Sequence, residues 1–200
     1  MNTKDLIVEK TLKLILDKGT TDISISEIRN STKLTTGGIY YHFSDKQEIF
    51  EAIIQKYMID YIKINFDEII LEGSSKKKIH DTLLYMLHHF IEGVKIESIN
   101  EKINYNSVLY LLTATGYFED ELSSIILQTG KDIKKFLTSL VEEGKKQNEI
   151  RDDFSTEKIT QTLLTMYMGI QSFWVTFAND NTDIMFEKNF DITWQTIKCQ

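Results

Sequence analysis

Thr35-Thr36-Gly37-Gly38-Ile39-Tyr40-Tyr41-His42-Phe43-Ser44-Asp45-Lys46 decides the reading of this chain. It follows a short apolar-periodic segment, Ser24 to Asn30, across a tight connection, Ser31 to Leu34. Two short helices joined by such a turn make a helix-turn-helix, a common way to lay a helix in the DNA major groove. The second helix opens on hydroxyl residues, carries two glycines, then two tyrosines and a histidine, and has no charge before Asp45. Glycine inside a helix costs about 1 kcal/mol relative to alanine, so two of them imply that something approaches this backbone closely. Tyrosine and histidine offer donors and flat apolar faces, which suit phosphates and thymine methyls.

Upstream, Thr3 to Lys18 reads as a helix whose face holds Ile7, Thr11, Leu14 and Ile15, widened by Val8, Leu12 and Leu16. Gly19 ends it. Ser24, with Glu27 three residues later, makes a capping box for the next helix. Thr35 is the expected N-cap of the recognition helix, and Ser44 or Asp45 that of a fourth.

These residues resemble the DNA-binding signature of the TetR family of bacterial transcriptional regulators. That signature runs hydroxyl-x-Gly-x-aliphatic-Tyr-x-His/Tyr-Phe-x-x-Lys-x-x-aliphatic. Here it is Thr35, Gly37, Ile39, Tyr40, His42, Phe43, Lys46 and Ile49, with Ile7, Leu14, Ile15 and Gly19 matching upstream. One departure stands out. The family usually has Ala-Gly before the aliphatic residue of the turn, and this chain has Thr32-Lys33 before Leu34. A lysine there must accept a left-handed backbone, or the turn is reshaped. The resemblance implies that Thr35, Thr36 and Gly38 face base edges and sugar. Tyr40, His42 and Lys46 then hold phosphates, and Tyr41 does either. Ser24, Ser26, Lys33 and Gly37 complete the expected interface, while Ile39 and Phe43 point back into the core.

The rest of the chain matches the family only in length and helical pattern. Phe50, Ile54, Tyr57, Tyr61 and Ile64 follow a 4-3-4-3 spacing. They predict a long fourth helix to about Leu71, shared between a head at 1–46 and a body at 47–200. Ile79, Leu83, Leu87, Phe90 and Val94 predict a further helix, and Lys95 to Asn106 is the least regular part. Helices are expected around Ser107 to Thr115 and from Leu122 to Leu140, then a polar connector from Asn148 to Phe154. The strictest stripe is Ile159, Leu163, Met166, Ile170, Phe173 and Phe177, with Leu164, Met168, Val175 and Ala178 beside it. After a turn at Asn179 to Asp183, Phe186, Phe190 and Trp194 mark the last helix. One helix with two apolar faces needs two partners. A homodimer interface is therefore expected at Ile159, Leu163, Met166, Ile170, Phe173, Phe177, Phe186, Phe190 and Trp194.

The resemblance also implies an effector pocket in the body. Tyr85, Met86, His89, Tyr105, Tyr110, Met166, Tyr167 and Trp174 have the apolar walls and polar tips of such sites. Plain core packing is the alternative for each of them. His80, His88 and His89 invite a metal reading, but no carboxylate or cysteine completes a usual ligand set, so no metal or cofactor is expected. No nucleophile elbow or phosphate loop stands out, so no catalytic residue is expected.

Composition bounds the rest. The chain has 200 residues and no proline, which removes the strongest helix breaker. A mostly helical chain is therefore expected, and with the resemblance the fold class is all-α: a three-helix DNA-binding head and a helical-bundle body for ligand and dimer. Its single cysteine, Cys199, forms no internal disulfide, which fits a reducing cytosol. Lys10, Lys13 and Asp17 interrupt the apolar residues of the first helix, so no signal peptide is expected, and no apolar run is long enough for a membrane span. A net charge of −7 is unusual for a DNA binder, but residues 1–56 carry eight basic and eight acidic groups and the excess lies beyond them. Binding needs a local basic footprint rather than a basic protein. The expected function is a repressor released from a palindromic double-stranded DNA operator by a small effector, with no enzymatic activity. The alternatives are a helical ligand-binding or adaptor protein without DNA binding, and a helix-bundle enzyme.

Overall fold

The computed structural model describes residues 2–57, 62–92, 94–96, 101–103, 120–177 and 181–199. They form two compact units, 1–62 with 91–125, and 63–90 with 126–200. The expected helix at 107–115 lies outside the described residues.

The first unit begins with α1 (Thr3–Lys18), capped by Asn2, whose side chain accepts from the Asp5 amide at 2.7 Å. Gly19 ends α1 in the left-handed region, φ 63° and ψ 24°. Helices α2 (Ile25–Thr32) and α3 (Thr36–Tyr40) follow, then α4 (Lys46–Tyr57). Ile7, Val8, Leu12 and Ile15 of α1 are buried with Ile28 of α2, Ile39 of α3, and Ile49, Phe50, Ile53 and Ile54 of α4. Phe43 is buried with them at 1% exposure, so Ile39 and Phe43 are core residues. Glu9 is also buried on α1, unlike any expected pattern, because it accepts from Lys56 Nζ at 3.3 Å and from the Tyr57 hydroxyl at 2.9 Å. Burial and that bond to Glu9 push the Tyr57 phenol up to about 12.

Two expectations about length fail. The fourth helix does not run to Leu71: α4 is described over Lys46–Tyr57, Ile62 is the last helical residue before residues 63–65, and Asn65 caps a single 3-10 turn, Phe66–Glu68, where the apolar spacing had predicted α-helix. The Asn65 side chain accepts from the Asp67 amide at 3.2 Å, a local bond that competes with helix continuation. Val94 does not close the next helix either. Helix α5 (Ser75–Glu92) stops before it, and Val94–Ile96 forms strand β1, paired antiparallel with β2 (Glu101–Ile103). This small ribbon is the one addition to a helical fold among the described residues.

The second unit is built from α5, α6 (Asp120–Lys146), α7 (Thr156–Phe177) and α8 (Thr182–Ile197), with Asp183 inside α8 rather than in a turn. Leu83 and Met86 of α5, Leu137 and Val141 of α6, Leu163 of α7 and Phe186 of α8 are each fully buried. Three links join α5 to α8 in antiparallel order. Lys76 pairs with Asp191 at 2.8 Å, His80 with Glu187 at 2.9 Å and His88 with Asp183 at 2.9 Å. The His80 ring also lies 5.0 Å from Phe190, edge-on. Gly144, near the end of α6, leaves room for Ile150: a Cβ there would come within 2.5 Å of the Ile150 Cδ1. The chain end is pinned beside it by an isolated bridge between Ile150 and Lys198.

Candidate nucleic-acid interface

The helix-turn-helix is set by local hydrogen bonds. The Ser24 hydroxyl accepts from the Glu27 amide at 3.3 Å, and the Glu27 carboxylate accepts from the Ser24 amide at 2.8 Å, which closes the capping box. Lys18 also binds Glu27, and these contacts hold the Glu27 carboxyl down at about 2. At the other end of α2, the Thr32 hydroxyl donates to the Ile28 carbonyl at 2.8 Å and accepts from the Leu34 amide at 3.4 Å. Lys33 does adopt the left-handed backbone, at φ 58° and ψ 23°. The Thr35 hydroxyl then caps α3 by accepting from the Gly38 amide at 3.0 Å. Asp45, rather than Ser44, caps α4, accepting from the Glu48 amide at 2.9 Å, while Ser44 donates back to Glu48.

The two glycines have different surroundings. A Cβ on Gly38 would press on the Thr35 cap oxygen at 3.2 Å. A Cβ on Gly37 would meet nothing within 4 Å, so nothing in this subunit requires glycine there. The close approach that Gly37 permits is an approach from outside. Around it, Lys33, Thr35, Thr36, Gly37, Tyr40 and Tyr41 are exposed, with Tyr41 at 84%. His42 and Lys46 are half-buried; His42 packs edge-on with Tyr41 at 5.0 Å, and the Lys46 ammonium lies 5.7 Å from the Phe50 ring centroid. Ser26 is exposed and Ser24 is committed to its cap.

Ion pairing sorts the charges of this unit. Acids neutralise Lys13 (Asp17), Lys18 (Glu27) and Lys56 (Asp5 and Glu9). Arg29, Lys33 and Lys46 have no carboxylate at ion-pair distance among the described residues; the Arg29 guanidinium instead reaches the Asn30 side chain at 3.2 Å. Lys4 and Lys10 on α1 have no such carboxylate either, so three of the five cations of this segment without an ion pair among the described residues bracket the recognition helix in sequence.

The residues expected to face a partner subunit divide. Ile159, Leu163, Ile170, Phe186, Phe190 and Trp194 are buried inside the subunit and cannot form a surface; the α8 rings stack on one another, Phe186 on Phe190 at 5.7 Å. Phe173 and Phe177 are exposed at 46% and 62%, as are Met168, Ile184 and Ile192. Beside them an open groove of about 980 Å³ runs between α7 and α8, lined by Thr165, Met166, Gly169, Phe173, Met185 and Thr193, among others. On α8 the outward residues are Ile184 and Ile192 rather than the expected Phe186, Phe190 and Trp194, because stripes of similar hydropathy do not say which one is covered.

The expected effector residues are also scattered. Tyr105 and Tyr110 lie outside the described residues. Met86 is fully buried. Tyr167 is buried at 3% exposure, its hydroxyl accepting from Gln171 at 2.6 Å and its phenol pushed well up by burial. Tyr85 stacks on His89 at 6.2 Å and donates to Glu68 at 2.8 Å. Trp174 is half-buried. Met166 belongs to the α7–α8 groove instead, its sulfur accepting from the Thr193 hydroxyl at 3.3 Å. Among the described residues no three histidine, cysteine, aspartate or glutamate side chains gather as a metal site, and no helix is long and apolar enough to cross a membrane.

A capped helix, a tight left-handed turn and a short exposed recognition helix define a helix-turn-helix DNA-binding protein. Residues 7–53 match the family model for bacterial regulatory proteins of the tetR family. The repressor BepR of Brucella suis is 22% identical over 177 residues, covering 86% of this chain and 80% of that protein. A transcriptional regulator from Saccharomonospora viridis, solved with choline, superimposes with a TM-score of 0.66 at 15% identity, covering 98% of each chain. AibR, solved with isovaleryl coenzyme A and operator DNA, gives a TM-score of 0.60 at 17% identity over 96% of this chain and 97% of that one. Residues 7–53 are thus a tetR-family DNA-binding domain, and the chain reads as a DNA-binding transcriptional regulator similar to that family over most of its length.

Proposed function

We propose that this protein represses transcription by binding a palindromic operator as a homodimer and is released by a small-molecule effector in its body. The observation that carries the DNA contact is the open space over Gly37, flanked by exposed hydroxyls, tyrosines and unpaired cations. In this reading Thr35, Thr36 and Gly38 meet base edges and sugar, and Tyr40, His42 and Lys46 meet phosphates. The head is taken as residues 1–46 and the body as residues 47–200. BepR is a repressor, which supports the sign, and AibR was solved with isovaleryl coenzyme A and operator DNA, which supports a fold that takes both a small ligand and DNA.

The second copy is placed on the α7–α8 groove. Thr165, Gly169 and Thr193 let another helix approach closely, and Phe173, Phe177, Met168, Ile184 and Ile192 supply the apolar area that such a seam would cover. A two-fold seam sets two recognition helices about 34–36 Å apart, the spacing of successive major grooves. An effector that binds best when that spacing is wrong for DNA weakens operator binding by linkage. Tyr85, Met86, His89, Tyr167 and Trp174 remain the pocket candidates on the described helices. The cytoplasm is where such a regulator would meet its DNA.

The test is an anisotropy titration of duplexes from upstream of the protein's own coding region across a salt series. Tyr40→Ala and Lys46→Ala should each weaken binding about several-fold on all sequences, and Lys46→Ala should lower the salt slope by about 0.9 per bound head. Wild-type affinity in both variants at every salt concentration would refute the phosphate assignment.

A further inference from the structure

The turn between α2 and α3 holds a lysine in a backbone shape that lysine rarely takes. A Cβ in the left-handed region crowds the following carbonyl, so glycine, asparagine and aspartate fill such positions more readily. The chain offers its own comparison. Gly19 makes the shape at φ 63°, and Asn148, the other non-glycine residue at positive φ among the described residues, makes it at φ 58°. Glycine at position 33 would make the same turn without strain. What lysine adds is its side chain. That side chain covers no core, because Lys33 is exposed. It joins no ion pair among the described residues, unlike Lys13, Lys18 and Lys56 in the same unit.

Its mount is stiff. The Thr32 hydroxyl bonds the Ile28 carbonyl at 2.8 Å on one side and the Leu34 amide at 3.4 Å on the other. Two residues on, Thr35 caps α3, so the Lys33 Cα lies within about 7.6 Å of the residue that opens the recognition helix. Local strain of this kind persists where the surrounding structure over-determines it, and it clusters at binding sites.

We infer that Lys33 is a phosphate-contacting residue of the operator interface, held in a strained backbone because the strain sets its ammonium beside the recognition helix. This rests on the reading of the head as a DNA-binding unit. The contact is sequence-independent: it adds affinity and salt dependence and leaves discrimination between operators to α3.

The experiment titrates the full chain into a random-sequence duplex of about three helical turns over a salt series, with thermal melts alongside. Lys33→Gly and Lys33→Asn remove the charge and keep the turn. Both should melt at or above the wild-type temperature while the log–log salt slope falls by about 0.9 per bound head, with Lys33→Arg restoring it. Lys13→Ala, whose ammonium pairs with Asp17, should leave the slope unchanged. An unchanged slope in both neutral variants, with wild-type binding intact, overturns the contact. A lower melting temperature for Lys33→Gly overturns the strain argument. Absence of salt-dependent binding by the wild type instead overturns the DNA reading on which the inference stands.

Discussion

The helix-turn-helix head and the α7–α8 pair are both helical, yet they finish their surfaces in opposite ways. In the head, Ile39, Phe43, Ile49 and Phe50 are buried to 1% exposure or less, and what remains outside is hydroxyl, phenol and cation. In the α7–α8 pair, Phe186 and Phe190 are buried as thoroughly, but Met168, Phe173, Phe177, Ile184 and Ile192 are left exposed. A surface of the first kind suits a hydrated polyanion. A surface of the second kind is unfavourable in water until another apolar surface covers it. The difference supports the proposal that DNA meets the head and a second copy meets the body.

The largest effect should come from charging the exposed aromatic pair. Phe173→Asp with Phe177→Asp is expected to give monomers in sedimentation. Operator affinity should fall by roughly a hundredfold to ten-thousandfold, as avidity between two heads is lost. A dimeric double variant would move the seam elsewhere. Phe190→Ala probes the buried side of the same pair of helices. Removing a ring that is 1% exposed and stacked on Phe186 should destabilise the fold by about 3–5 kcal/mol. A small shift in the urea midpoint would show that α8 is more open than its packing indicates.

Two smaller changes sharpen the picture of the head. Thr11 is fully buried, and its hydroxyl has no hydrogen-bond partner among the described residues. Thr11→Val should therefore stabilise the protein by about 1 kcal/mol, read from thermal or urea melts, because it removes an unsatisfied polar group at nearly the same shape. A destabilised variant would mean that the hydroxyl is satisfied. The smallest effect concerns acid. The Glu27 carboxyl, bound by Lys18 and the Ser24 amide, sits at about 2 in the folded chain against 4.5 for a free glutamate. A folded value below the unfolded one gives stability that is present above about 4.5 and lost as the pH falls toward about 2. Glu27→Gln should flatten that part of the acid melting profile, and an unchanged profile would remove Glu27 from the account.

Elements whose ends depend on neighbours in sequence were legible from the residues alone. The bounds of α1, the Ser24–Glu27 box, the Thr35 cap and the left-handed option at Lys33 all rest on contacts within four residues. The segment from Lys63 to Leu71 was misread because the expected stripe stops at Ile64 and the helix was extended beyond it to Leu71. Beyond Ile64 the chain buries Ile69 after a 3-10 turn, Phe66–Glu68, rather than on a continued helix. Glu9 was invisible for another reason: a carboxylate reads as solvent-facing until Lys56 and Tyr57, some 47 and 48 residues away, are brought to it.

The sequence by itself determined that this chain is helical, where its recognition helix starts, and which side chains that helix can offer to DNA. Those features rest on period, caps and glycines, all set by local backbone chemistry. Only the tertiary structure decided which apolar stripes close on their own subunit. It buried Phe186, Phe190 and Trp194 and left Phe173 and Phe177 outside. Hydrophobic burial is non-directional, so a pattern of apolar residues states that a face must be covered and leaves the covering surface to the packing of the whole fold.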